Sequence, residues 1–203
     1  RYPCAVQDAA LAYQWVAEHA QDYGADPHRL AVGGDSAGAN LALGLAISAC
    51  WSRQEPWAQL VWRTEVVPKV LLPACGYLAV SNPERHREHA PIAKWMDARI
   101  HNVSDAYLPE HTPARQEHDY ANPLFMLEAL PPPERPFPAT FAIGGGTDPV
   151  CGDTVRLGPA VERHGAPCMA PVYEGGFHTF HMLMTTELAR RAWGEQLAFL
   201  QTH

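Results

Sequence analysis

Apolar positions along the chain fall into short continuous runs and longer segments with helical spacing, a pattern typical of an α/β protein. The predicted helices cover roughly residues 6–19, 37–51, 154–164 and 183–200. The predicted strands, bounded by glycine or proline, cover roughly residues 30–32, 66–72, 138–143 and 168–173. Because helices follow strands this regularly, we predict a mostly parallel sheet covered by helices on both faces.

The first predicted strand runs directly into the sequence Gly34-Asp35-Ser36-Ala37-Gly38. A Gly-x-Ser-x-Gly pattern between a strand and a helix is typical of a nucleophile elbow, with Ser36 at its tip. The strained turn exposes the weakly nucleophilic hydroxyl to a base, and the two glycines are expected to keep side chains out of it. The backbone N–H of Ala37, at a helix N-terminus, can donate to a developing oxyanion. The alternative is that Ser36 only caps the helix.

Two further candidates each follow a predicted strand. Asp148 lies in the loop after residues 138–143, and His178 lies in the loop after residues 168–173. Catalytic groups collect at the carboxyl ends of strands in open α/β sheets. The order serine, aspartate, histidine is that of the α/β-hydrolase triad, with histidine as base and aspartate as its orienting partner. Taken singly, Asp148 could be a turn residue before a proline and His178 a structural histidine, and Asp153 is the substitute acid.

The segments 33–40, 148–150 and 178–180 resemble the hormone-sensitive-lipase-like esterases, the α/β-hydrolase-3 group. The resemblance extends over nearly the whole chain and implies an α/β-hydrolase fold. It also implies a cofactor-free serine carboxylesterase that hydrolyses short-chain acyl esters through an acyl-enzyme. Ser36 is then the nucleophile, His178 the general base and acid, and Asp148 the orienting acid. The expected partner is a small-molecule ester.

Two departures from the family pattern change this picture. The family's upstream His-Gly-Gly-Gly loop, which supplies oxyanion donors, is not in the sequence, and Gly152 stands where the family often has an acidic residue. We therefore expect residues 1–203 to be the carboxyl-terminal portion of one catalytic domain, without its amino-terminal strands. An apolar edge beside the elbow strand should then pair with a second copy or with the missing segment. Each lost oxyanion donor should lower the rate by about 10²-fold.

Residues 81–118 are polar and rich in His, Arg, Glu and Pro, with two amphipathic pieces near residues 92–96 and 100–107. In the family this region carries lid helices over the active site, so we expect a lid here. Simple packing of these helices on the body is the competing interpretation. The candidate substrate-pocket residues are Asp35, Trp95, Met96, Ile100, Tyr107 and Val150.

Composition excludes several classes of protein. A net charge of −7 without a basic stripe disfavours nucleic-acid binding, and the longest apolar stretch, residues 37–51, is too short to span a bilayer. The five cysteines are expected to be small buried residues in a reducing, cytoplasmic compartment. No metal is expected, because Cys-x-x-Cys is absent and the pairs His86/His89 and His178/His181 lack a completing carboxylate pattern.

The alternative is a non-catalytic protein on the same fold that binds a small molecule or a partner. Receptors that resemble these esterases use the same pocket to hold a small ligand and then a partner, and a truncated inactive form could serve as an interaction module. Retention of serine, aspartate and histidine together argues against the receptor, because binding alone does not require all three.

Overall fold

Parallel strands form the central sheet of the computed structural model, which describes residues 1–88, 92–108 and 119–203. The strands are β1 (Ala31–Asp35), β2 (Val70–Ala74), β3 (Ala139–Phe141), β4 (Gly144–Gly145), β5 (Cys168–Met169) and β6 (Val172–Tyr173). Four of them form one sheet in the order β1-β2-β3-β5, and β4 pairs with β6 in a separate two-stranded sheet. All of these pairs are parallel, so the carboxyl ends of the strands lie along one edge.

Helices cover both faces of this sheet, which confirms the predicted α/β architecture. They are α1 (Cys4–His19), α2 (Ala37–Cys50), α3 (Pro56–Arg63), α4 (Lys94–Tyr107), α5 (Pro123–Ala129), α6 (Cys151–Glu162) and α7 (Glu187–Thr202). Neighbouring residues of β2 point to opposite faces: Leu71 packs in the core of α1, α2 and α6, while Val70 packs with Phe199 of α7. This alternation follows from the two-residue period of a strand.

The first strand extends to Asp35, and the predicted strand 138–143 is observed as Ala139–Phe141, with Gly144–Gly145 of the predicted loop forming β4. The other two strands differ from their predicted bounds because of proline and backbone turns. The second strand begins at Val70 rather than residue 66, since Glu65 has a left-handed φ of 58° and Pro68 has no N–H for a ladder. The predicted strand 168–173 divides into β5 and β6 around Pro171. The parallel pairing continues across the break, because Gly144 N–H donates to the Pro171 carbonyl at 3.1 Å.

Three helices also differ from the predictions. Helix α6 begins at Cys151, earlier than expected, and is followed by Gly165 in the left-handed conformation (φ 76°). Helix α7 begins only after Thr186, whose side chain accepts a hydrogen bond from Ala189 N–H at 3.2 Å. The two amphipathic pieces within residues 81–118 form one helix, α4, while residues 89–91 and 109–118 of this predicted lid lie outside the described residues.

The cysteines are less uniformly buried than predicted, although all five have free thiols. Cys50 and Cys75 are buried, Cys151 and Cys168 are half-buried, and Cys4 is exposed at the beginning of α1. The expectation of small buried residues therefore fails at Cys4, which faces solvent in the first turn of its helix.

Strand β1 lies at the edge of the sheet and pairs with β2 alone among the described strands. Its residues Ala31 and Gly33 are exposed. Beside it, α1 and α2 enclose an apolar groove of about 410 Å³, whose lining includes Tyr13, Val32 and Leu41. This is an apolar edge at the position where one was predicted, beside the elbow strand. Within the described segments, no helix has the length and apolar character needed to cross a membrane.

Candidate active site

Ser36 lies at a sharp turn between β1 and α2. Its backbone is strained, with φ 54° and ψ −111°, and its N–H donates to the Ala74 carbonyl at 2.9 Å. Gly34 allows this turn, because a Cβ there would lie 2.2 Å from the carbonyl carbon and oxygen of Gly38. A Cβ on Gly38 would meet no described atom within 4 Å, contrary to the expectation that both glycines are needed to clear the turn.

This asymmetry predicts different outcomes for two matched substitutions. Gly34→Ala should destabilise the fold by about 3 kcal/mol or more, because the backbone of Gly38 cannot yield as a flexible side chain would. Gly38→Ala should change the unfolding free energy by less than about 1 kcal/mol, since alanine fits a helical first turn. Denaturant unfolding of both variants beside the parent protein measures the difference. Equal stabilities would contradict the contact between the two glycine backbones.

His178 and Asp148 meet Ser36 at the carboxyl edge of the sheet. Nε2 of His178 lies 3.0 Å from Oγ of Ser36, and its Nδ1 lies 2.9 Å from Oδ2 of Asp148. The Asp148 side chain is fully buried, and its Oδ1 accepts the Val150 N–H at 3.0 Å. The three predicted residues therefore form one continuous hydrogen-bonded chain.

The surroundings of His178 favour its protonated form. The hydrogen bond to Asp148 raises the pKa of the imidazole, burial lowers it, and the charges of Asp148 and Asp35 raise it further. The net direction is upward from the ordinary value. An imidazole held this way is a stronger base toward the Ser36 hydroxyl than a free histidine.

Asp153, the substitute acid considered from the sequence, lies in a different environment. Its buried carboxylate accepts hydrogen bonds from the Arg85 guanidinium, at 2.6 Å to Nη2, and from Leu78 N–H at 2.7 Å. The pair joins α6 to the segment of residues 83–88. Removing one partner of such a buried pair typically costs about 3–5 kcal/mol, because the other charge stays buried. Asp153 is thus engaged with Arg85, while Asp148 contacts the imidazole.

A cavity of about 270 Å³ opens onto Ser36 and His178. Of the predicted pocket residues, Met96, Ile100 and Val150 line it. A smaller neighbouring cavity of about 120 Å³ is lined by Tyr107 and by the oxyanion candidate Ala37. The two cavities share Tyr77 and Val103 in their walls.

Two predicted pocket residues lie elsewhere. Trp95 is 70% exposed, because it stands one position off the α4 face that carries Met96 and Ile100. Asp35 lines a separate cavity of about 360 Å³ together with His181 and Trp193.

Four residues of the cavity at Ser36 were not predicted from the sequence, namely Tyr77, Arg99, Val103 and Pro149. The α4 residues Arg99 and Val103 follow Met96 at intervals of three and four, and this helical spacing was the signal available for finding them. Tyr77 lies two positions after Cys75, whose backbone has a left-handed φ of 47°. A cysteine at that position gives no sign of such a turn in the sequence.

Groups with potential metal-binding atoms gather around Cys75. Its Sγ, the Asp35 carboxylate and the His181 ring lie within 4.8 Å of one another, and a second such group joins it to Asp148 and His178. However, burial raises the pKa of the Cys75 thiol to about 12, and its sulfur accepts the Thr179 N–H at 3.4 Å. A metal requires the thiolate, so this thiol is poorly suited as a ligand.

Comparison with known proteins places this site in a family. A family model described as the alpha/beta hydrolase fold matches residues 1–182. The chain belongs to the hormone-sensitive-lipase-like α/β-hydrolases. Within this α/β-hydrolase family, it is 32% identical to Esterase LipI of Mycobacterium tuberculosis over 82% of the chain and 47% of that protein. It is 28% identical to an acetyl esterase of Salmonella paratyphi B over 89% of the chain and 51% of that protein. The chain thus spans about half the length of these α/β-hydrolase relatives.

Solved structures of esterases share the α/β-hydrolase architecture. The bacterial heroin esterase superposes with a TM-score of 0.75 at 22% identity, covering the whole of this chain and 60% of that structure. EstE1, a thermostable carboxylesterase from a metagenomic library, superposes with a TM-score of 0.73 at 23% identity, and the match covers the whole of this chain and 64% of the EstE1 chain. These likenesses confirm the predicted fold.

Proposed function

We propose that the protein is a serine carboxylesterase that hydrolyses short-chain acyl esters. The observation that carries this proposal is the hydrogen-bonded chain from Ser36 through His178 to Asp148. The three residues come from three separate loops, 142 positions apart at the extremes, yet every link is within 3.0 Å. The strained backbone of Ser36 costs free energy, and such strain is typical of functional sites rather than of structural serines.

The geometry suggests the following steps. His178 Nε2 takes the Ser36 proton as Oγ attacks the ester carbonyl, and the resulting imidazolium is stabilised by Asp148 through Nδ1. The imidazolium then gives its proton to the departing alcohol, leaving an acyl group on Ser36. Water, deprotonated by the same imidazole, attacks the acyl-enzyme and releases the carboxylic acid.

Ala37 is proposed as an oxyanion donor. It is the first residue of α2, where a backbone N–H has no acceptor within its own helix and the helix dipole favours negative charge. The 120 Å³ cavity beside Ala37 is proposed to hold the acyl chain. That volume equals about four water molecules at ~30 Å³ each, which suits a short acyl group.

Helix α4 is proposed as part of a lid over this site, within residues 81–118 of a single catalytic domain that spans the chain. Ile100 and Leu108 pack with Tyr77, Val80 and Val150, and of these Tyr77, Ile100 and Val150 also line the cavity at Ser36. The open β1 edge is proposed to pair with a second copy or with a further segment of a longer protein. A cytoplasmic location and the absence of a cofactor stay predictions from the sequence.

Covalent labelling of the purified protein by a fluorophosphonate tests the proposal. We expect one adduct by intact mass and peptide mapping that places it on Ser36. The labelling rate should rise with pH, because only the neutral imidazole accepts the Ser36 proton. Since the pKa of His178 is raised, this rise should occur above the range of an ordinary histidine. An unlabelled, folded chain would favour the non-catalytic alternative.

A further inference from the structure

A second carboxylate and imidazole lie together close to the triad. Asp35 is the last residue of β1 and directly precedes Ser36. His181 follows His178 by three positions, in the turn Phe180–Met182. Oδ1 of Asp35 lies 3.4 Å from Nε2 of His181. The contact therefore joins the strand that carries the nucleophile to the loop that carries the base.

His181 is also held by aromatic residues. Its side chain is 6% exposed, and its ring packs against Phe180 and Trp193, with centroids 5.8 and 6.2 Å away. Trp193 of α7 also donates from Nε1 to the His181 carbonyl at 2.9 Å. Nδ1 of His181 is buried and has no hydrogen-bond partner among the described residues. Oδ1 of Asp35 is also buried without a hydrogen-bond partner among the described residues, so its 3.4 Å approach to Nε2 is a charge contact rather than a formed hydrogen bond. Asp35 is the charged group that faces this imidazole.

Other contacts hold the His178 loop on both sides of the imidazole. Thr147 donates from its N–H and its hydroxyl to the Gly176 carbonyl, at 2.8 and 2.9 Å. Thr179 N–H donates to Cys75 Sγ at 3.4 Å. Among the described residues beyond His178, the contact between His181 and Asp35 is the side-chain link from this loop to β1, the strand that precedes the elbow. Loss of that link should let the imidazole of His178 move relative to Ser36.

The charge of Asp35 also acts on His178, the proposed base. The groups facing Asp35 are His181, His178, Asp148 and Cys75, while α7 presents the uncharged Trp193 and Gln196 to the same cavity. Burial raises the pKa of Asp35, and the two imidazoles lower it. Burial lowers the pKa of His181, which favours its neutral form.

We propose that Asp35 and His181 are positioning residues of the active site. Their contact fixes the His178 loop against the elbow, and the Asp35 carboxylate adds a second negative charge that acts on His178. The proposal rests on the proposed esterase function, because positioning matters only if His178 serves Ser36.

The two halves of the pair should give different effects in Ser36 labelling by a fluorophosphonate. Asp35→Asn removes a negative charge, so the pKa of His178 should fall and the rise of the labelling rate should move to lower pH. His181→Ala retains that charge but frees the loop, so the plateau rate should fall about tenfold with no such downward move. His181→Gln keeps a donor near the position of Nε2 and should restore most of the plateau.

The experiment follows labelling across the pH range and titrates the His178 ring by NMR in the same variants. Asp8→Asn and His28→Ala, both at exposed positions, are matched controls and should behave like the parent protein. An unchanged pKa of His178 in Asp35→Asn, or a parental plateau in His181→Ala, would overturn the proposal. If His181→Ala does not fold, His181→Leu, which fills the space without a donor, takes its place: a plateau below that of His181→Gln supports positioning, and equal plateaus overturn it.

The same data separate this proposal from the proposed function. A parent protein that never labels at Ser36 contradicts the esterase function, whatever the variants do. The NMR titration still decides the electrostatic part in that case, because it reads His178 directly. A parent that labels, with variants that do not differ from it, overturns only the positioning role.

Discussion

Ser36→Ala should abolish hydrolysis of a short p-nitrophenyl ester, lowering the rate by on the order of 10⁴–10⁶-fold to background. The hydroxyl is the only atom lost, and His178 Nε2, 3.0 Å away in the parent protein, then has no nucleophile to activate. Alanine tolerates the left-handed turn about as well as serine does, so the fold should persist. Steady-state turnover, with circular dichroism as the check of folding, measures the effect.

The matched control is Ser52→Ala, an exposed serine just beyond α2. It should retain the parental rate. Turnover that survives in Ser36→Ala would mean that another group attacks the ester, and the assignment of the elbow would then be wrong. A parent protein without turnover would leave the labelling experiment to decide between a catalytic and a binding site.

Asp148→Asn should lower the rate by about 10⁴-fold while leaving the site nearly intact. The asparagine carbonyl oxygen can still accept the Val150 N–H, but its amide then donates to Nδ1 of His178. Nδ1 must become the acceptor, so the proton moves to Nε2, the atom that has to take the Ser36 proton. Steady-state turnover in the variant, with the tautomer read from imidazole nitrogen shifts by NMR, measures this effect.

Asp8→Asn on the exposed face of α1 controls for the loss of one carboxylate and should retain full turnover. A small effect of Asp148→Asn would show that the aspartate does not control the tautomer. The buried pair of Asp153 with Arg85 gives no direct replacement, since its carboxylate is saturated by the guanidinium and by Leu78 N–H.

The meeting of Ser36, Asp148 and His178 could be predicted from the sequence because each residue follows a local pattern. Asp148 and His178 come after apolar runs that end in glycine-rich loops, and parallel strands bring such loops to one edge of the sheet. The spacing within each loop did not matter, since the fold supplies the long-range register. Helix α2 could be predicted from its largely apolar sequence of small residues and leucines.

Other features depend on contacts that no local pattern contains. Arg85 and Asp153 lie 68 positions apart in the sequence, and the residues next to each give no sign of the other. Trp95 was expected in the pocket because it is large and apolar, yet a rotation of one residue on α4 turns it to solvent. Asp35 was expected beside the substrate, but strand alternation places its side chain with His181 instead.

The edge position of β1 has a consequence for the local stability of the nucleophile. A central strand must break two hydrogen-bonded ladders to leave its sheet, whereas β1 must break only its ladder with β2 within the described structure. The free energy of such a local opening is then smaller than that of global unfolding. Ser36 sits at the end of this strand, so, as long as nothing pairs with the open edge, its contact with His178 can be lost transiently while the rest of the core stays folded.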